Sequence, residues 1–189
     1  MITVGFAMCG SFCTFSQVIP QLRLLCESGV DVIPIMSENA YSLDTRFGRA
    51  QEFAAQLESA TGKPVMHTLA EVEPFGPKKS LDILVIAPCT GNTLAKLALG
   101  IADSSVSFAA KAHLRNSRPL LIGVSTNDAL SAAAKNIGAL HNTKNVYFIP
   151  YRQDDSEGKP NSLVSDFSML IPSLECALEG RQLQPVLCK

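Results

Sequence analysis

Charge is scarce in this sequence, and neither sign prevails. Only 17% of the 189 residues are charged, and 16 Lys and Arg against 17 Asp and Glu give a formal net charge of −1 at pH 7. Proteins whose main partner is a nucleic acid normally carry a basic surplus, so the balance argues against that class. A hydrophobic content of 47% beside so little charge also indicates that further protein chains cover part of the surface.

Long apolar runs and metal-ligand spacings are missing as well. No apolar stretch reaches membrane-spanning length, and residues 1–8 form no basic leader, so neither membrane insertion nor secretion is expected. The three histidines stand far apart, and Cys9 and Cys13 have no second Cys or His pair at a zinc-ligand spacing. The six cysteines are therefore expected to be reduced thiols, with no metal site.

The common nucleotide-binding signatures are also absent. Gly5 and Gly10 are spaced like the glycines of a P-loop, but Ser11 stands where the essential lysine would be. The dinucleotide fingerprint G-x-G-x-x-G does not occur. An NTPase is therefore discounted, although Gly10 and Ser11 ahead of a helix could still hold one phosphate. A Gly-Ser turn between a strand and a helix is more often plain turn chemistry.

Apolar runs alternate with segments of helical period along the whole chain. The predicted strands are 2–8, 30–36, 82–87, 119–125 and 146–150, and the predicted helices are 17–29, 45–61, 94–101, 105–114 and 127–141. This order predicts an α/β fold, a three-layer doubly wound parallel sheet of the flavodoxin-like or Rossmann-like kind. Residues 1–189 are expected to form one domain, with a helical C-terminal tail over 163–189 that Pro172 interrupts. The proline-rich segment 71–80 is expected to be an exposed connection.

Ligands of such sheets bind beyond the carboxyl ends of the strands, so the loops that follow residues 8, 36, 87 and 125 are the candidate site. The most informative loop is Pro-Cys-Thr-Gly-Asn-Thr at 88–93. Thr90 or Asn92 can cap the next helix, and Gly91 removes a side chain near the end of the sheet. Capping explains only one of these residues.

The sequence resembles one broad superfamily and, within it, one narrower family. Residues 87–96 and 100–103, Ala-Pro-Cys-Thr-Gly-Asn-Thr-Leu-Ala-Lys and Gly-Ile-Ala-Asp, resemble the P-x-S-A-N-T-x-A-K and G-x-A-D signature of the flavoprotein superfamily. That superfamily includes homo-oligomeric flavin-containing cysteine decarboxylases and flavin prenyltransferases. More narrowly, the runs at 45–48, 87–93, 111–116, 125–130, 135–138 and 159–163 resemble the family of dipicolinate synthase B subunits.

The narrower resemblance implies an oxidoreductase component in the mother-cell cytoplasm of a sporulating bacterium. It would oxidise dihydrodipicolinate, a small diacid, to dipicolinate together with the nicotinamide-dependent A subunit of dipicolinate synthase. This two-electron oxidation needs a hydride acceptor, either FMN on this chain or NADP through the partner protein, and a base. The alternatives are a stand-alone flavin-dependent decarboxylase or prenyltransferase, and a non-catalytic scaffold for the A subunit.

The resemblance also implies which residues contact the flavin. The phosphate would face Gly10, Ser11 and Ser37, and the ring or ribityl chain would contact Cys89, Thr90, Asn92 and Thr93. Asn127 and Asp128, after the next strand, would complete the site. Each group has a structural alternative: Ser37 as a turn cap, Cys89 as an inert buried thiol and Asn127 as a helix cap.

A diacid substrate favours arginine, because the guanidinium fork matches a carboxylate. Arg46, placed at the start of the predicted helix 45–61, is the first candidate. Lys111, His113 and Arg115 form a second group, in which Lys111 and His113 would join Arg46 as catalytic residues. The alternative is that these cations only complement the dipole at a helix end.

The sequence departs from the decarboxylases at their substrate motif and at two further positions. Their P-x-M-N-x-x-M-W substrate motif cannot occur, because the chain contains no tryptophan. Gly91 also replaces their usual alanine, and His67 is the sole histidine upstream of the signature strand, with a proline-rich segment after it that spoils the spacing. Decarboxylation is therefore not expected.

The low charge fraction and the family resemblance together predict a homo-oligomer. Static light scattering at micromolar protein is expected to give a mass that is a multiple of 20.2 kDa. A mass near that of one chain would contradict the prediction.

Overall fold

The predicted strands form one sheet in the computed structural model, which describes residues 2–78 and 80–188. The strands are β1 (Thr3–Met8), β2 (Asp31–Met36), β3 (Ile83–Cys89), β4 (Leu120–Thr126), β5 (Val146–Phe148), β6 (Tyr151–Arg152) and β7 (Leu163–Ser165). The helices are α1 (Phe15–Glu27), α2 (Glu38–Ser42), α3 (Ala50–Thr61), α4 (Leu69–Val72), α5 (Phe75–Lys78), α6 (Gly91–Leu99), α7 (Ser105–Leu114), α8 (Ala134–His141) and α9 (Leu170–Leu178).

The sheet is mixed and mostly parallel. Its order is β2-β1-β3-β4, and β5 pairs in parallel with the first half of β4. The last residues of β4 instead pair with β7, and β7 pairs with β6, both antiparallel. The predicted α/β doubly wound fold is confirmed. The antiparallel pairings were not predicted, because residues 163–165 form a strand and not the start of a helical tail.

Helices cover both faces of the sheet and make three layers. Side chains of α1, α3 and α9 pack on one face in the first core cluster, and those of α6, α7 and α8 pack on the other face in the second. All seven residues of β3 are buried, as expected for a central strand enclosed on both sides. Successive side chains of β1 alternate between the two clusters, with Phe6 in one and Ala7 in the other.

Two helices begin later than the sequence pattern predicts. Helix α3 begins at Ala50 and not at residue 45, because Thr45 and Gly48 exchange two backbone hydrogen bonds of 3.0 and 3.1 Å and close a tight turn. Helix α8 begins at Ala134 and not at residue 127, because the amides of Ser131 and Ala133 both donate to the carbonyl of Asp128 at 3.0 Å. Backbone turns have replaced the first helical turn in both places.

Segment 71–80 and the C-terminal tail also differ from expectation. Helices α4 and α5 occupy part of the segment, and Val72 and Phe75 pack in the second core cluster, so the segment is not simply exposed. In the tail, Pro172 lies in the first turn of α9, where its missing N–H breaks no helical hydrogen bond. It does not interrupt the helix.

Two leucines of α1 provide a matched test of this packing. Leu22 is fully buried against the sheet, whereas Leu24 is 48% exposed. Leu22→Ala should lower the free energy of unfolding by about 2–5 kcal/mol, through lost burial and the cavity left behind. Leu24→Ala should change it by less than about 0.5 kcal/mol. Urea unfolding of both variants measures the difference, and equal effects would contradict the placement of α1.

Candidate functional site

The carboxyl ends of β1 and β3 lie side by side at the point where the chain changes direction across the sheet. After β1 the chain adds β2 on one side, and it then crosses to place β3 on the other side. The amide of Cys9 donates to the carbonyl of Pro88 at 3.1 Å, so the two loops are joined directly. A crevice at this switch point is where open α/β sheets bind ligands.

A cavity of about 450 Å³ opens beside these two strand ends, and we call it the central cleft. It is lined by residues after β1, β2 and β3 together with the loop after α6: Cys9, Gly10, Phe12, Ser37, Glu38, Asn39, Leu43, Thr90, Asn92, Thr93, Lys96, Asp103 and Ser104. Five of the predicted flavin residues, Gly10, Ser37, Thr90, Asn92 and Thr93, therefore meet in one cavity.

Thr90 caps helix α6, and this leaves Asn92 for another role. The Thr90 hydroxyl accepts the amide of Thr93 at 3.3 Å and lies 3.0 Å from the Thr93 hydroxyl, which donates to the Cys9 sulfur at 3.3 Å. Asn92 is exposed in the first helical turn, and its amide group has no hydrogen-bond partner among the described residues. The carboxamide can therefore both donate to and accept from a ligand.

Ser37 combines the two roles considered for it. Its side chain accepts the amide of Ala40 at 3.3 Å and caps α2, while the residue also lines the central cleft. Accepting that hydrogen bond leaves the hydroxyl proton free for a ligand. Capping and cofactor binding are thus compatible at this position.

A second cavity of about 350 Å³ lies on the β4 side of the same loops, and we call it the hydroxyl cleft. Its lining is Gly10, Ser11, Cys13, Thr14, Gln17, Thr90, Ser125, Thr126, Asn127, Asp154, Lys159 and Val164. The hydroxyls of Ser11 and Ser125 are 2.6 Å apart, and Thr14 donates to Ser125 at 3.4 Å. Ser11 and Asn127 therefore belong to this cleft, and Asn127 does not cap α8.

Asp128 shapes the site without lining either cleft. Its carboxylate accepts the hydroxyl of Thr126 at 2.5 Å, and this pair packs directly against Gly91. A Cβ atom on Gly91 would lie 2.6 Å from the Asp128 oxygen and 2.7 Å from the Thr126 oxygen. Glycine at 91, in place of the alanine usual in the decarboxylases, leaves room for the Thr126 and Asp128 side chains in this arrangement.

Cys89 lies in the core and lines neither cleft. Its side chain is fully buried, and burial raises the pKa of its thiol well above the usual value. This placement matches the alternative of an inert buried thiol. Burial likewise raises the pKa of Cys9 to about 11, so the Cys9 side chain is also a neutral thiol at pH 7.

Lys111, His113 and Arg115, the second group expected to bind a carboxylate, lie away from both clefts. Helix α7 runs against the strands: the Ser105 hydroxyl donates to the carbonyl of Met36 at the carboxyl end of β2. The His113 ring, 1% exposed, bonds the carbonyl of Pro119 at 2.9 Å, just before β4 begins. The last turn of α7 is therefore at the amino edge of the sheet.

Lys111 and Arg115 line a separate cavity of about 300 Å³. The Lys111 ammonium donates to the carbonyl of Gly100 at 3.4 Å, and exposed Arg115 lies beside Gly76. Burial, and then the charge of Arg118, lower the pKa of His113 to about 4, so the ring is neutral at pH 7. A neutral, buried imidazole at this edge cannot contact a ligand in either cleft.

Arg46 and His67 also lie outside the two clefts. Arg46 is exposed in the turn at 45–48, and its guanidinium carbon is 4.8 Å from the centre of the Phe47 ring. His67 stacks on Tyr41 with ring centres 3.7 Å apart, and its Nδ1 is 3.6 Å from the carboxylate of Glu71. Neither position resembles a base aimed into a cleft.

Eight residues that line the central cleft were not predicted as site residues from the sequence: Cys9, Phe12, Glu38, Asn39, Leu43, Lys96, Asp103 and Ser104. Lys96 and Asp103 form an ion pair of 2.7 Å across the cleft wall, and Ser104 follows them. The signal was present, because Lys96 and Asp103 are the K and the final D of the signature. The ion pair joins these two positions of the signature, which are seven residues apart.

The donor set of the central cleft fits the polar part of FMN. The five predicted residues supply three hydroxyls, one carboxamide and a glycine next to a helix N-terminus, and these suit a ribityl chain and a phosphate. A Cβ atom on Gly10 would meet only the Phe12 ring, at 3.4 Å, so the backbone there is open to a ligand. The lysine of the cleft is already paired with Asp103, so hydroxyl and amide donors would carry phosphate recognition.

Comparison with known proteins agrees with this geometry. The Flavoprotein family model matches residues 1–168. The chain is 45% identical over 184 residues to the B subunit of dipicolinate synthase from Bacillus subtilis (strain 168), covering 97% of this chain and 92% of that protein. It belongs to the dipicolinate synthase B subunits of the flavoprotein family. The resemblance seen in the sequence is thereby confirmed.

Solved structures extend the comparison. The crystal structure of the B subunit of dipicolinate synthase from Bacillus halodurans C matches with a TM-score of 0.91 at 45% identity, covering 100% of this chain and 96% of that one. The FMN-dependent cysteine decarboxylase SpaF matches with a TM-score of 0.69 at 21% identity, covering 95% and 96%. The second likeness shows the shared fold.

Membrane spans and metal clusters are both lacking in the part of the chain that the structure describes. Within residues 2–78 and 80–188, no helix is long and apolar enough to cross a bilayer. The same residues contain no group of three or more His, Cys, Asp or Glu side chains arranged to hold a metal ion.

The buried state of His113 gives a testable pH dependence. The pKa of this histidine is about 4 in the folded chain against an ordinary value of 6.5, so between these pH values the unfolded chain binds more protons. Stability from this residue is complete above pH 6.5 and falls as the pH drops toward 4. Between pH 7 and pH 5 the free energy of unfolding of the wild type should fall by about 1–2 kcal/mol more than that of His113→Gln. Glutamine suits this comparison because its amide can still donate to the carbonyl of Pro119.

Urea unfolding at both pH values measures this difference. Comparison of the two proteins cancels the contribution of the carboxylates, which both share. An identical loss in the two proteins would show that the pKa of His113 is the same in the folded and unfolded chains, which would contradict the prediction.

Proposed function

We propose that this chain is the B subunit of a dipicolinate synthase that oxidises dihydrodipicolinate to dipicolinate together with a nicotinamide-dependent A subunit. The observation that carries the proposal is identity of 45% with a dipicolinate synthase B subunit over nearly the full length of both chains. Membership of the B subunits implies an A subunit in partnership with this chain. The expected setting is the cytoplasm of a sporulating bacterium, where the product is a spore-core chelator.

In the oxidation of dihydrodipicolinate, the main task of the protein is to position the substrate against the hydride acceptor. Dihydrodipicolinate becomes aromatic when it loses one hydride and one proton, so it needs a hydride acceptor and a base. FMN, if bound, supplies a hydride acceptor on this chain, and NADP on the A subunit is the other acceptor. The protein must hold the ring against the acceptor and keep both in a fixed orientation.

The central cleft is where this chain would hold FMN. Gly10 and the N-terminus of α6 offer backbone donors, and Ser37, Thr90 and Thr93 offer hydroxyls. Asn92 offers both a donor and an acceptor. Because Thr90 already caps the helix, a ligand role for Asn92 does not compete with the stability of α6.

A stand-alone decarboxylase is the weaker alternative. The chain has no tryptophan for the substrate motif of that class, and the loops after β3 and β4 meet at Gly91 where those enzymes usually have alanine. The SpaF likeness concerns the fold alone, because identity is only 21%.

Reconstitution with the A subunit tests the proposed function. Dihydrodipicolinate, NADP and both purified proteins should yield dipicolinate faster than the A subunit does by itself. A variant with an altered central cleft, such as Thr90→Val with Asn92→Asp, should no longer raise the rate of the A subunit. It should still bind the A subunit. Full stimulation by that variant would favour a scaffold, and no stimulation by the wild type would contradict the proposal.

The substitution Asn92→Asp separates ligand contact from helix capping. Aspartate keeps an acceptor and suits the first turn of a helix, but it removes the donor and adds a negative charge. Thermal stability should hold while FMN affinity falls by about 1–3 kcal/mol, the usual cost of an unmet hydrogen bond.

Fluorescence quenching of FMN during titration measures the affinity, with melting curves alongside. Asn136→Asp, which makes the same change on α8, is the control and should bind FMN like the wild type. Equal FMN affinity in the Asn92 variant would remove Asn92 from the site.

A further inference from the structure

A third cavity, which we call the phenylalanine slot, lies between α1 and α3 and has a volume of about 300 Å³. Its lining is Phe12, Cys13, Phe15, Ser16, Ile19, Pro20, Arg23, Phe47, Phe53 and Gln56. Four of these ten residues are phenylalanines, although the whole chain has only nine. So strong a concentration of flat rings in one concave site is typical of a site for an apolar or aromatic ring.

The rings of the slot are packed in a fixed arrangement. Phe15 lies edge-on to Phe53, with ring centres 4.8 Å apart and an interplanar angle of 82°, and Phe12 is 5.2 Å from Phe15. Phe47 completes the wall and is 46% exposed, which is unusual for so large an apolar side chain. A flat ligand ring would cover this exposed face and gain aromatic contacts.

Arginine supplies the charge of the slot. Arg23 is the one charged residue among those that line it, and its single hydrogen bond is to the neutral Gln56, at 3.3 Å. Arg46 does not itself line the slot, but it stacks on Phe47, which does, with its guanidinium carbon 4.8 Å from the ring centre. Among the described residues neither arginine forms an ion pair, so both guanidinium groups can receive a carboxylate.

The turn that carries Arg46 and Phe47 is held against the slot. A Cβ atom on Gly48 would lie 2.7 Å from the Phe53 ring, and the φ angle of Gly48 is 148°. Glycine at this position therefore allows the turn at 45–48 to approach Phe53 closely. The approach fixes the Phe47 wall and, through it, the stacked guanidinium of Arg46.

The slot shares lining residues with both clefts of the site already described. Phe12 lines both the slot and the central cleft, and Cys13 lines both the slot and the hydroxyl cleft. A ring in the slot would therefore lie next to a ligand in the central cleft. Transfer between two bound molecules requires such neighbouring sites.

We propose that the phenylalanine slot binds a planar ring that carries two carboxylates, with Arg23 and Arg46 as the carboxylate partners. The inference rests on the proposed function, because it names the place on this chain where the diacid substrate binds. It also explains how Arg46, outside both clefts, acts as a substrate-binding residue, in line with the expectation from the sequence.

Binding of pyridine-2,6-dicarboxylate to the full-length chain tests the slot without any turnover. Calorimetric titration should detect binding by the wild type, and Arg23→Gln and Arg46→Gln should each weaken it about ten-fold or more. Arg46→Lys should weaken it as well, because an ammonium keeps the charge and loses the fork. Arg152→Gln, which removes an exposed arginine from the far edge strand, is the matched control and should bind like the wild type.

Two other ligands test the shape and charge of the slot. Cyclohexane-1,3-dicarboxylate has the two carboxylates without a flat ring, and pyridine-2-carboxylate has the ring with one carboxylate. Both should bind at least about ten-fold more weakly than pyridine-2,6-dicarboxylate if rings and arginines act together. Equal binding of the cyclohexane compound, or undiminished binding by both arginine variants, would overturn the proposal, as would no binding by the wild type.

The outcome can be separated from that of the proposed function. The arginine variants should bind FMN normally and should raise the KM for dihydrodipicolinate in the reconstituted assay. Normal KM with full stimulation of the partner protein would reject the slot and leave the proposed function intact. A change of mass in light scattering, without a change in ligand binding, would overturn the proposal by showing that this face is a contact between copies of the chain.

Discussion

The site depends on one constraint, the contact between the strand-end loops of β1 and β3. The amide of Cys9 bonds the carbonyl of Pro88, and the Thr93 hydroxyl bonds the Cys9 sulfur. These contacts place Gly10 beside the N-terminus of α6. Both clefts share Gly10 and Thr90, so each draws its lining from this one junction.

Gly91 serves the same junction from the other side. The Thr126 and Asp128 side chains occupy the space where a Cβ atom would be, so glycine at 91 lets these two side chains pack directly against the start of α6. The hydroxyl cleft lies among the loops that follow β1, β3 and β4, whereas the central cleft lies among those that follow β1, β2 and β3. Residues that look alike in sequence, such as Asn92 and Asn127, end in different cavities for this reason.

Sequence reasoning predicted the strands well because each is a short apolar run enclosed on both faces. It failed at the starts of α3 and α8, where Asp44 and Asp128 hold the chain in turns that a pattern of apolar positions does not record.

The placement of His113 could have been predicted from the order of the elements. A helix that precedes a parallel strand must deliver the chain to the amino end of that strand, so the last turn of α7 could not reach the carboxyl-end loops. Thr90 and Asn92 are both good capping residues, and only the geometry shows that Thr90 holds the amide of Thr93. The phenylalanine slot joins residues more than forty positions apart, and no local motif marks it.

Flavin binding in the central cleft is the claim on which the proposed chemistry of this chain depends most. The most direct measurement is the absorbance spectrum of the protein purified without added cofactor and again after incubation with FMN and desalting. We expect flavin bands that stay with the wild-type protein and are lost when Thr90 and Asn92 are both replaced. Absence of flavin bands in both preparations of the wild type would contradict the claim.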